Sequence, residues 1–74
     1  MTQPKEKVLS NPVREEILKI IERAPATRSV IVELTGASWA NVAYHTRVLC
    51  RAGTIYRVET DESDPEDPLY ELCP

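Results

Sequence analysis

The 74 residues are 42% apolar and 28% charged, with a formal net charge of −3. A chain this short makes one domain with a small core, stable by on the order of 3–5 kcal/mol without a metal or disulfide, which argues against a deep enzyme cleft. No apolar run approaches the ~18 residues of a membrane span, and the opening "MTQPKEKVLS" lacks the apolar stretch of a signal peptide, so a cytoplasmic protein with no membrane partner is expected.

Residues 1–10 are polar and aperiodic and read as a flexible N-terminal segment, leaving 11–74 as the domain. "SNPVREEILKIIERAP" then reads as a helix with both ends marked. Asn11 or Ser10 caps it, and Pro12 fits the first helical position, where a missing N–H costs nothing. Val13, Ile17, Ile20 and Ile21, with Leu18, form an apolar stripe at helical spacing, and Pro25 ends the helix.

"RSVIVELT" has the β-branched run of a strand, yet its context favours a short helix. Thr27 precedes it as a cap, Gly36 follows as a residue able to take positive φ, and Ser38 caps whatever comes next. That punctuation belongs to a helix–turn–helix. The next helix spans about 39–52, with Val42, His45, Thr46 and Leu49 on one side. Arg47 and Arg51 complement its C-terminal end, and Gly53 closes it. "TIYRVET" reads as a strand with Ile55 and Val58 inward through a bulge or twist, "DESDPEDP" as an acidic loop, and "LYELC" as a returning strand. The fold class expected is therefore α+β: three helices followed by a two-stranded β-hairpin.

Charge is unevenly spread. Between residues 13 and 58 seven basic side chains stand against four acidic ones; from 59 onward there are seven acidic side chains and no basic one. The body is mildly basic and the last segment strongly acidic. Cys50 and Cys73 lack the C-x-x-C spacing of a metal or redox site and are expected to be free thiols.

Helix, short helix, tight turn, helix and hairpin is the plan of a winged helix–turn–helix. The sequence also resembles the ArsR-like, arsenical-repressor type, transcriptional regulators. The likeness lies in "NPVREEIL", in "VELTGASWANVAYHTRVLCRAGTI" and in "LYEL", over roughly residues 11–72. Its most specific part is "YHTRVLCRAGTI", which looks like the family's His-x-x-x-Leu-x-x-Ala-Gly run into the wing. Three features depart from the family. "SVIVELTG" holds no Cys or His, so metal sensing is not implied and no cofactor is expected. The family's terminal dimerisation helix has no counterpart before Pro74, so a monomer or weak homodimer is expected. The wing loop is acidic where the family's is basic or neutral.

The resemblance implies sequence-specific binding of double-stranded DNA by a small transcriptional regulator, with helix 39–52 in the major groove. In such folds the second helix of the turn unit meets base edges and the first crosses the backbone. Arg47 suits guanine or a phosphate, Asn41 suits adenine or a phosphate, and Ala40 and Ala43 allow close approach and room for a thymine methyl. Tyr44 offers a ring and a hydroxyl. Thr27 and Ser38 stand at helix N-termini able to donate to phosphates, and Arg28 and Arg57 flank the face as phosphate neutralisers. Trp39 either meets DNA or folds back over the turn as a half-buried anchor.

Other residues have plainer roles. Arg51 reads as a dipole partner, His45 as a hydrogen-bonded core residue, and Tyr70 and Leu72 as packing on the last strand. With one inward His and no catalytic constellation, the chain is not expected to be an enzyme. The acidic loop lacks the spacing of a calcium loop and reads as solvated and mobile, held away from a DNA backbone. The alternative is an interaction module that docks a protein partner through the acidic wing or the helix face.

Overall fold

In the computed structural model, which describes residues 11–74, every helix starts at the cap expected of it. The expected flexible segment, with Ser10, lies outside the described residues. Helix α1 (Pro12–Arg23) begins at Asn11, whose Oδ1 accepts from Val13 N at 3.0 Å and Arg14 N at 3.4 Å. It buries Ile17 and Ile21 and ends as Ala24 turns extended ahead of Pro25. Helix α2 (Arg28–Thr35) follows Thr27 and stops at Gly36, whose φ of 73° lies in the left-handed region that disfavours a side chain. Its "VIV" run stays helical because Ile31 fills the core, while Thr35 Oγ1 donates back to the Ile31 carbonyl at 2.7 Å and accepts from Ala37 N at 3.2 Å, closing the turn.

Helix α3 (Trp39–Arg51) starts at Ser38, whose Oγ accepts from Asn41 N at 3.1 Å. It buries Val42, His45, Thr46 and Leu49, the side that the periodicity marks as inward. The chain leaves through Gly53, with a φ of 75°, as Gly53 N and Thr54 N return hydrogen bonds to the Cys50 and Leu49 carbonyls.

The sheet has three strands where a two-stranded hairpin is expected. Strands β2 (Ile55–Val58) and β3 (Leu69–Leu72) form the wing, and β1 (Ala26–Thr27) adds to the other side of β3. All pairings are antiparallel, with Ala26 opposite Tyr70 and Ile55 opposite Leu72. A two-residue strand is too short to show the alternation by which strands are recognised in sequence. Nor does a bulge bring Val58 inward: β2 and β3 pair through four successive residues, so Ile55 is buried and Val58 only partly covered. Residue 52 caps α3 rather than extending it.

Each element gives the core at least one side chain: Ile17 and Ile21, Ala26, Ile31, Val42 and Leu49, Ile55 and Tyr70. Tyr70, expected as simple wing packing, is a core residue with a polar task. Its hydroxyl accepts from Arg28 Nη2 at 2.6 Å and lies 3.2 Å from Thr46 Oγ1, which also reaches the Val42 carbonyl at 2.8 Å. Thr46 is completely buried, so this network satisfies hydroxyls that would otherwise cost stability.

His45 is the hydrogen-bonded core residue expected. Arg14 Nε–H donates to its Nδ1 at 3.1 Å, tying α1 to α3 and fixing a neutral imidazole with its proton on Nε2. Burial first, and the Arg14 charge second, hold its pKa below the ordinary 6.5. Protonation would remove the acceptor and set two cations together. The unfolded chain therefore binds this proton at a higher pH than the folded one. We expect stability to be complete above pH 6.5 and to decline as pH falls below it towards the folded-state pKa; urea titrations between pH 7.5 and 5 should show this slope, and His45→Gln should flatten it.

Candidate nucleic-acid interface

The buried side of α3 fixes what its other side presents. With Val42, Thr46 and Leu49 at 0% exposure, the helix has little freedom to roll, and Ala40, Asn41, Tyr44, Arg47 and Arg51 face solvent. Trp39 and Tyr44 keep 42% and 56% of their surface accessible, large values for aromatic side chains. Ala43 is half-buried at the edge of this face. Ser38 sits at its N-terminal end, its hydroxyl engaged in the cap. Seven of the expected contact residues, Ser38, Trp39, Ala40, Asn41, Ala43, Tyr44 and Arg47, thus share one helix and its cap.

The other three lie elsewhere. Thr27 is the α2 cap, its Oγ1 3.4 Å from Val30 N and 3.1 Å from Ser29 Oγ. Arg57 is exposed on β2, with a loose ion pair to Glu59 at 3.9 Å and a 3.4 Å bond to the Pro65 carbonyl. Arg28 turns inward. Besides its bond to Tyr70, its guanidinium carbon lies 5.6 Å from the Trp39 ring centre and 5.9 Å from that of Tyr70. The Trp39 ring lies beside Arg28 while much of its surface remains accessible.

The acidic loop is exposed, as expected, but it has defined turns. Thr60 and Ser63 bond to each other through backbone and hydroxyl, Asp64 Oδ1 accepts from Glu66 N at 2.9 Å, and Asp67 N returns to the Asp64 carbonyl at 3.0 Å. The sequence reading missed Asp67. Its carboxylate accepts from Ser29 N at 2.9 Å and from Ser29 Oγ at 2.6 Å, so the wing caps α2 from 38 residues away. Helix α2 has no acidic residue in its own first turn, and Asp67 supplies the negative charge its N-terminus favours. Asp–Pro pairs at both ends of "DPEDP" mark turns, yet nothing local indicates which acid reaches across. Arg28 N donating to the Pro68 carbonyl at 3.0 Å closes the same junction.

Among the described residues no group of three or more His, Cys, Asp or Glu side chains is arranged to hold a metal ion. Cys50 and Cys73 are both free and half-buried. Burial pushes the Cys50 thiol up, and Cys73 adds to the shift. No helix among them is long and apolar enough to cross a membrane.

This arrangement is a winged helix–turn–helix, with α2 and α3 as the turn unit and β2–β3 as the wing, and comparison with solved structures agrees. HlyU from Vibrio cholerae superposes with a TM-score of 0.80 at 17% identity, over 93% of this chain and 71% of that one. A homodimeric winged helix–turn–helix DNA-binding domain from Mycobacterium bovis, a possible ArsR-family transcriptional regulator, gives 0.80 at 17% identity, over 95% and 61%. A possible transcriptional regulator for arsenical resistance gives 0.83 at 22% identity, over 99% and 72%. The M. bovis domain and the arsenical-resistance protein are described in the terms of the family that the sequence resembles. No protein-family model matches this chain, and no curated protein matches it in sequence.

The α2 cap is open to direct test. Removing the Asp67 carboxylate by Asp67→Ala should lower stability by about 1–2 kcal/mol in urea unfolding and move the Ser29 amide resonance strongly. Glu62→Ala, on an exposed loop position, should change stability by less than about 0.5 kcal/mol.

Proposed function

We propose that this domain binds double-stranded DNA sequence-specifically and serves as a small transcriptional regulator, with α3 entering the major groove. One observation carries the reading. The exposed side of α3 combines small residues, Ala40 and Ala43, with groups that read or grip nucleic acid, Asn41, Tyr44 and Arg47, on a helix whose opposite side is locked in the core. Small residues let the helix axis come close, and the longer side chains then reach base edges or phosphates. The M. bovis domain and the arsenical-resistance protein are each described as a possible transcriptional regulator, and this supports the same role here.

In this reading Ser38, Trp39, Ala40, Asn41, Ala43, Tyr44 and Arg47 meet DNA directly. Thr27 lies on the backbone side of the turn, and Arg57 neutralises a phosphate beside the wing. The loop acids Glu59, Asp61, Glu62, Asp64 and Glu66 are all exposed and would repel phosphates, so the wing tip stands away from the duplex. A single domain makes few contacts, so tight binding calls for two copies on adjacent half-sites. The homodimeric assembly of the M. bovis neighbour supports pairing of this kind, with the isolated chain a monomer or weak homodimer.

The exposed carboxylates of the wing favour one other reading, a module that docks a basic protein surface. Salt separates the two, since DNA binding loses a slope of about 0.9 in log K against log salt for each phosphate contacted. The test is to select a duplex from a random pool and measure its affinity by fluorescence anisotropy at several salt concentrations. Arg47→Ala should weaken binding by about 1–3 kcal/mol. Its midpoint in urea should stay within about 0.5 kcal/mol of the parent. A collapse in stability would mean that Arg47 belongs to the fold; an unchanged affinity would remove it from the interface.

A further inference from the structure

We infer that Arg28 is a positioning residue that fixes the Trp39 ring at the entrance of α3, and that it does not neutralise a phosphate. The inference rests on the DNA-binding reading, in which Trp39 stands at the end of α3 nearest the bases.

Arg28 occupies an adverse place for a cation. It is the first residue of α2, where the helix dipole disfavours positive charge. A side chain serving a phosphate would extend into solvent, but this one is half-buried. Its Nη2 donates to Tyr70 at 2.6 Å, and its Nε is shut off from solvent with no acceptor. A guanidinium holds such a place when stacking compensates it, and here the rings of Trp39 and Tyr70 lie 5.6 and 5.9 Å from its central carbon. The consequence falls on Trp39. As the first residue of α3 it has no preceding turn to pack on, and its ring is set by two side-chain torsions. Contact with Arg28 restrains both. Tyr70 anchors the arrangement, because its hydroxyl also meets Thr46 halfway along α3. Entry to the helix, its middle and the central strand are thereby joined through Arg28 and the Tyr70 hydroxyl.

Arg28→Lys separates the two roles. Lysine keeps the charge, so a phosphate contact would survive largely intact, whereas the guanidinium's approach to the two rings and its Nη2 bond to Tyr70 would be lost. Trp39 is the only tryptophan, and its fluorescence reports the ring in the free protein. Expected are a rise in acrylamide quenching and a fall in Trp39 anisotropy without DNA. With DNA, preference for the selected duplex over random duplex should fall roughly threefold or more, with an unchanged salt slope. Tyr70→Phe, which keeps the ring and removes the hydroxyl, should raise quenching in the same direction and guards against a lysine variant that does not fold. Parental quenching in both variants would overturn the proposal, as would a lower salt slope in Arg28→Met with Trp39 fluorescence unchanged. A parent domain that ignores duplex DNA would overturn the function proposed above, while the quenching still decides the position of the ring.

Discussion

The hydroxyl of Tyr70 is the polar point on which this small fold converges. It sits on the central strand of the sheet, inside the core, and joins the first residue of α2 to the middle of α3 through Arg28 and Thr46. Apolar packing alone gives α3 little direction, since the buried cluster is seven aliphatic side chains and one tyrosine. A satisfied polar network in a core adds direction to contacts that otherwise only attract. Roll of α3 about its axis, and hence which residues it shows to solvent, is set by Val42, Thr46 and Leu49 together with that network.

A second constraint ties the wing to the turn unit. The Asp67 carboxylate and the Pro68 carbonyl fasten the start of β3 to the first two residues of α2, while β1 pairs with β3 just before α2 begins. The acidic loop therefore starts and ends at defined places although its middle is solvated. Exposed charge is polarised between the two regions, with Arg47 and Arg51 on α3 and five exposed carboxylates in the wing loop. In the DNA complex proposed above, that polarity would select orientation, with the exposed side of α3 toward the phosphates and the wing tip away from them.

Features governed by neighbours in the chain were legible in the sequence. Asn11, Thr27 and Ser38 cap as their residue types require, and Gly36 and Gly53 take the left-handed conformation at helix ends. The inward set Val42, His45, Thr46 and Leu49 follows from the helical period. What escaped depends on residues far apart. Strand β1 exists because Ala26 and Thr27 meet β3, and two residues carry no periodic signal. Ser29 with Asp67, and Arg28 with Tyr70, are 38 and 42 positions apart, and exposed-looking charges gave no sign of either pairing. Arg28 shows how far residue type reaches: the same guanidinium suits a phosphate or aromatic rings, and its bond to Tyr70 and approach to Trp39 follow only from the path of the chain.

The proposed role turns on whether the solvent-facing side of α3 reads DNA. An amide NMR titration of the domain with duplex DNA, at low and then at physiological salt, tests it most directly. Expected are shifts concentrated at residues 27–29 and 38–47 that weaken as salt rises, with the loop acids little affected. Silent α3 amides in a folded domain, or shifts confined to the acidic wing, would contradict it.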